Sequence, residues 1–145
     1  MYDRILIPTD GSELAEKAVD QGLALAKTVG AKVTIVRVTN VPAPMVYEGV
    51  VVALSTEDIR EEIAARVAEH FKTLASKASA LGVSLDTVHV ENDSPYEAII
   101  DTAKEKGANL IVMASHGRRG LSAVLLGSET QKVLTHSTIP VLVCR

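Results

Sequence analysis

The chain has little that could staple or anchor it. It contains no tryptophan, one phenylalanine, three tyrosines and a single cysteine in 145 residues. With aromatics at 3%, its core must be aliphatic, the composition of a parallel sheet covered on both faces. The lone Cys144 excludes an intrachain disulfide, and a cytoplasmic location is the default expectation. No apolar run approaches the roughly 18 residues that a membrane span needs. The start, Met1-Tyr2-Asp3-Arg4, enters a strand without a basic leader and an apolar segment, so neither signal peptide nor membrane contact is expected. A net charge of −3 argues against a broad nucleic-acid surface, so any anion site has to be local. Three phosphate and nucleophile signatures are also missing: GxGxxG, the Lys-Ser/Thr end of a Walker A loop, and the GxSxG elbow. His70, His89, His116 and His136 lack metal-ligand spacing, and no protein-built metal site is expected.

What is present is a regular alternation of short apolar runs and amphipathic stretches. Strands are expected at residues 4–8, 32–39, 83–90, 109–114 and 140–144. The first helix should start at a Ser12 cap and bury Ala15, Ala18, Val19, Leu23 and Ala26 before stopping near Gly30. A long helix is expected from Ser55 to Leu81, closed by Gly82. Ser94-Pro95-Tyr96-Glu97 carries capping-box spacing with proline at the first helical position. Ser128 and Gln131 have the same spacing at the last helix, which runs to His136. Five strands separated by helices predict one domain over residues 1–145, an open parallel α/β sheet with helices on both faces. Residues 40–54, with Pro42, Pro44 and the apolar run after Gly49, fit no element; they would either cover a flat ligand or patch exposed core.

The segment richest in chemistry follows the fourth strand. Val112-Met113-Ala114-Ser115-His116-Gly117-Arg118-Arg119-Gly120 opens a small basic loop, and Gly127-Ser128-Glu129-Thr130-Gln131 restarts a helix. A strand, a glycine loop and a helix start together form a phosphate cradle, because first-turn N–H groups are free and the helix dipole favours an anion. In open α/β sheets ligands bind beyond the carboxyl ends of the strands, where strand order reverses. If strands one and four are neighbours there, Asp10 faces the same crevice. Asp10 alone reads as a turn residue of Asp-Gly-Ser; beside the loop it also reads as a ribose or adenine ligand. Ser115, His116 and Asp10 could suggest a hydrolytic triad, but the missing elbow speaks against it. No general base stands out, so any hydrolysis should be slow.

These segments resemble the universal stress protein family, specifically its nucleotide-binding branch. The resemblance rests on Ile5-Leu6-Ile7-Pro8-Thr9-Asp10-Gly11-Ser12, on residues 112–128, and on Ile139-Pro140-Val141-Leu142-Val143. The branch's motif, Gly-x2-Gly-x9-Gly-Ser/Thr, falls on Ala114, Gly117 and Gly127-Ser128, with alanine replacing the first glycine. The resemblance implies a Rossmann-like fold of the adenine nucleotide alpha hydrolase kind and ATP as ligand, any Mg²⁺ or Mn²⁺ being carried by its phosphates. It implies adenine or ribose at Asp10 and the Val38 backbone, and phosphates among Gly117, Arg118, Gly127, Ser128 and Glu129. Pro8, Thr9, Met113, Ala114, His116, Arg119 and Thr130 complete the implied nucleotide-binding set. It further implies a nucleotide-dependent sensor or regulator, homodimeric through Val141, Leu142 and Val143. The alternative is a family member without nucleotide binding that acts through protein contacts. A nucleotidyl transferase would need Ser-Gly-Gly-x-Asp-Ser after the first strand, and a phosphorylated receiver would need an acidic cluster; neither is present. The Ala114 methyl is expected to project towards the nucleotide, so that Ala114→Gly would tighten binding.

Overall fold

A computed structural model describes residues 1–52, 55–118 and 125–145. The main sheet comprises β1 (Arg4–Pro8), β2 (Lys32–Thr39), β5 (Leu85–Glu91), β6 (Leu110–Ala114) and β7 (Val141–Cys144). All its pairings are parallel and the order is β5-β2-β1-β6-β7. The helices are α1 (Glu13–Val29), α2 (Thr56–Leu81), α3 (Pro95–Glu105) and α4 (Ser128–His136). This is the five-stranded α/β architecture the alternation predicts.

Side-chain alternation along each strand feeds two cores. Ile5, Ile7, Val33, Ile35, Leu110 and Val112 pack with α1 and α2 residues such as Val19, Leu23 and Leu74. Leu6, Val36, Ile111 and Met113 pack on the other face with Ile99, Ala103 and Val133 of α3 and α4. Aliphatic side chains thus cover β1 and β6 on both sides, which is why these strands read as unbroken apolar runs. The third strand begins later than its sequence suggests, because the Val83 N–H closes α2 by donating to Ala78 O.

Residues 45–52 differ from the expected loop. β3 (Met45–Tyr47) and β4 (Val50–Val52) form an antiparallel ribbon. Glu48 and Gly49 turn it with φ of 48° and 77°, the paired positive φ values of a two-residue hairpin. Met45 and Tyr47 are 79% and 71% exposed, so this ribbon patches no core of its own chain. Ala53 and Leu54 lie outside the described residues.

Candidate functional site at the carboxyl ends of β1 and β6

β1 leads through α1 to β2 on one side and pairs with β6 on the other, Ile5 opposite Leu110 and Leu6 opposite Ile111. Strand order reverses there, so the β1–α1 turn and the loop after β6 meet across one crevice. The meeting is direct. The Asp10 carboxylate accepts from Ser12 N at 2.9 Å and from Arg118 N at 2.8 Å, while Arg118 Nη2 donates to Asp10 O at 3.1 Å. Burial pushes the Asp10 carboxyl up, but the Ser12 and Arg118 hydrogen bonds and the Arg118 charge outweigh it and hold it below its ordinary range. Gly117 is required by this contact, since a Cβ there would stand 2.5 Å from Asp10 Oδ2.

Behind the turn lies a polar chain. Arg37 Nη1 lies 2.7 Å from His70 Nδ1, and His70 Nε2 lies 2.7 Å from Glu16 Oε1. Arginine has only donors, so Nδ1 accepts and Nε2 carries the proton given to Glu16. Thr9 Oγ1 donates to the same Glu16 oxygen at 3.4 Å and accepts from Gly11 N at 3.1 Å. Burial and the Arg118 charge lower the Arg37 pKa, against the opposing pull of Asp10 and Glu16. Arg37 carries a sequence signal, a cation inside the apolar strand Lys32–Thr39; His70, on the largely polar α2, carries none.

α4 begins differently from its expected capping box. Its N-cap is Gly127, without a side-chain cap, and Ser128 is already helical. Gly127 N donates to Ser115 O at 2.7 Å, and Gln131 Nε2 turns to Leu126 O. The first helical bond runs from Gln131 N to Gly127 O; among the described residues the Ser128, Glu129 and Thr130 N–H groups have no acceptor and are open to one from outside. A Cβ on Gly127 would meet His116 Cα at 2.9 Å, so glycine here makes room for the chain's own loop. Thr130 Oγ1 fastens α4 to β6 by donating to Ala114 O at 2.9 Å.

The Glu129 side chain leaves the crevice: Oε2 accepts from Tyr96 N at 2.9 Å and Oε1 pairs with Lys132 at 3.1 Å. It thereby takes over the α3 start, where the Ser94 side chain makes no cap bond and Glu97 accepts from the Tyr96 hydroxyl. Pro8 ends β1, and Thr9 N extends the pairing by donating to Val36 O at 3.0 Å. Val38 and Met113 pack in the α3/α4 core, and His116 Nδ1 lies 3.2 Å from Ser115 Oγ. Arg119 lies outside the described residues. Ala114 corrects an expectation. It is a β6 residue opposite Cys144, 7% exposed, and its methyl joins the α1/α2 core beside Ile7 and Val112. The strand's pleat turns it away from α4, so it does not project into the crevice.

The geometry assembles a turn with a carboxylate, a basic loop and an open helix start around one switch point, an arrangement able to hold a nucleoside and its phosphates. The model of the universal stress protein family matches residues 1–145. Universal stress protein YxiE of Bacillus subtilis is 34% identical over the full length of both chains. The solved structure of MJ0577, whose sequence relative comes from Methanocaldococcus jannaschii, superposes with a TM-score of 0.82 at 25% identity, covering 99% of this chain and 96% of that one. A universal stress protein in complex with cAMP matches with a TM-score of 0.73 at 23% identity, covering 99% and 97%.

Proposed function

As this chain belongs to the universal stress protein family, we propose that it binds an adenine nucleotide, ATP foremost, at the carboxyl ends of β1 and β6. The observation that carries this reading is the uncapped start of α4 facing the Asp10–Arg118 contact across the switch point. The N–H groups of Ser128, Glu129 and Thr130 and the Ser128 hydroxyl would take the phosphates, with Arg118 and His116 beside them. Pro8, Thr9, Asp10 and the Val38 backbone would take the nucleoside. A Mg²⁺ or Mn²⁺ ion would arrive on the phosphates. The cAMP complex of a similar protein supports an adenine ligand.

The role is that of a cytoplasmic sensor or regulator, one domain per chain, paired as a homodimer through Val141, Leu142 and Val143. β7 is a sheet edge and Leu142 is 45% exposed, an edge that pairing with a second copy would cover. Leu142→Lys should raise the monomer fraction in sedimentation; an unchanged dimer rejects this interface. A second reading, partner binding without nucleotide, is favoured by one observation: the Asp10 oxygens already hold Ser12 and Arg118. Calorimetry with ATP, AMP and cAMP, together with analysis of ligand carried through purification, separates the two. Binding near one nucleotide per chain is expected. No adenine nucleotide bound under any condition leaves the second reading.

A further inference from the structure

Arg37, His70 and Glu16 hold no place in the nucleotide reading, yet their contacts close on the Asp10 turn from two sides. On one side, Gly11 N donates to Thr9 Oγ1, which donates in turn to Glu16 Oε1. On the other, the Arg37 guanidinium lies against Gly11, where an added Cβ would stand 2.9 Å from Arg37 Nη1. His70 joins the two arms, 2.7 Å from Arg37 Nη1 and 2.7 Å from Glu16 Oε1. One circuit thus ties β2, α2 and α1 to the turn that carries Asp10.

The pleat puts Arg37 there. It shares a strand face with Val33 and Ile35, which are buried under α1 and α2, and it stands where that core gives way to the crevice. Among the described residues its hydrogen-bond partner is His70. That bond lasts only while His70 is neutral, since an imidazolium donates from both nitrogens and has no lone pair left for an arginine. The His70 side chain is 16% exposed, so little water can replace the partner. From β2 it faces Arg37, which feels the charges of Asp10, Glu16 and Arg118 and acts on that of His89. From α1 it faces Glu16, whose other oxygen lies 3.7 Å from Lys77, itself paired with Asp20. A proton on His70 is therefore favoured by Glu16 at Nε2 and opposed by Arg37 at Nδ1. The opposed contact is the one that breaks.

We infer, on the nucleotide reading given above, that His70 is a positioning residue for the nucleoside end of the site. Neutral, it holds Arg37 back from Asp10 and leaves the carboxylate free to meet a ribose or adenine group. Protonated, it releases Arg37, and the guanidinium turns to the oppositely charged Asp10, where it competes with the nucleoside. Binding therefore weakens as pH falls through the range in which histidine gains its charge, from about pH 8 to about pH 5.

Adenosine is the probe, because it has no phosphate to titrate over that range. By calorimetry the unsubstituted protein should bind it about fivefold more weakly near the acid end than near the alkaline end, the scale of one hydrogen bond. His70→Gln keeps an acceptor for Arg37 and a donor for Glu16 but does not titrate, so its affinity should be flat and match the alkaline value. Arg37→Met leaves His70 in place and removes the group it holds; its profile should be flat as well. His89 and His116 are common to all three proteins, so their titration cancels in the comparison. In the ligand-free chain, the Gly11 and Ser12 amide resonances should follow the titration of the His70 ring, and should cease to follow it in Arg37→Met. Far-UV circular dichroism checks folding, and either variant alone decides the outcome. A flat profile in the unsubstituted protein, a pH dependence that survives in a variant, or amides that ignore His70 overturns the inference. If no adenine nucleoside or nucleotide binds at all, amides that follow His70 show that the hold on the turn stands and that the nucleotide reading is what failed.

Discussion

Two helices start at the same edge of the sheet, and they start in opposite ways. α1 is closed by its own residues: Ser12 Oγ accepts from Ala15 N, and Asp10 accepts from Ser12 N and from the neighbouring loop. α4 has glycine as its N-cap and no side-chain cap at all. A self-capped start fixes the geometry of the turn before it, whereas an uncapped one leaves donors for something from outside. On the proposed reading the difference divides the labour: the α1 turn would be the fixed wall, and the α4 start the receptive one.

The largest expected effect comes from filling the open end. Ser128→Glu should weaken ATP on the order of a hundredfold, since a like charge beside the phosphates costs several kcal/mol, with thermal stability unchanged. Equal affinity by calorimetry would remove α4 from the site. This variant is a cleaner probe than Gly127→Val, whose side chain would displace His116.

Breaking the closed end should cost both stability and binding. Asp10→Ala removes two backbone-to-carboxylate hydrogen bonds, about 1–2 kcal/mol of stability by urea denaturation. It should also weaken adenosine, AMP and ATP alike by roughly tenfold; a loss confined to ATP would reassign Asp10 to the phosphates. The carboxyl is lowered in the folded state, so its contribution is present above the unfolded value, near pH 4, and is lost as pH falls through the folded value. Asp10→Asn should flatten that acid limb of the stability curve; an unchanged limb would exclude Asp10 from it.

Ala114 stands between the two ends, its carbonyl towards α4 and its methyl in the α1/α2 core. Ala114→Gly should therefore lose about 1.5 kcal/mol of stability, from a buried methyl and added backbone freedom, while ATP affinity stays constant. Tighter ATP binding would mean that the methyl faces the ligand after all. Ser12→Ala should lose about 1 kcal/mol through its cap alone, again without a change in ATP affinity. A drop in affinity there would show that the two helix starts are not independent.

Much of the frame was legible in the chain. Ser12 caps α1 as expected, and Ser55, expected as the first residue of α2, is its cap; both serve an N–H three residues ahead, a purely local bond. The two remaining capping boxes were misleading for the opposite reason. The α3 start is served by Glu129, which lies 33 residues from its partner, and no local spacing reports such a bond. The hairpin at residues 45–52 was missed because Glu48-Gly49 is a weaker turn signal than Asn-Gly or Asp-Gly. Of the candidate site, the turn at Asp10 and the helix start at Gly127 were identifiable as polar interruptions at strand ends. Arg37 behind them was marked only by being a cation inside an apolar strand, and His70 by nothing.

By itself the sequence determined the kind and order of the five parallel strands and four helices, since periodicity, caps and glycine stops act over a few residues. It also determined that any anion site must be local, because the net charge is small and negative. Only the tertiary structure decided that β1 lies against β6, that the Ala114 methyl faces the core, and that the Asp10 oxygens engage Ser12 and Arg118. Each of these depends on which strands pair and on the phase of the pleat. Both are set by burying two apolar faces at once, a condition on the whole sheet and not on any single segment.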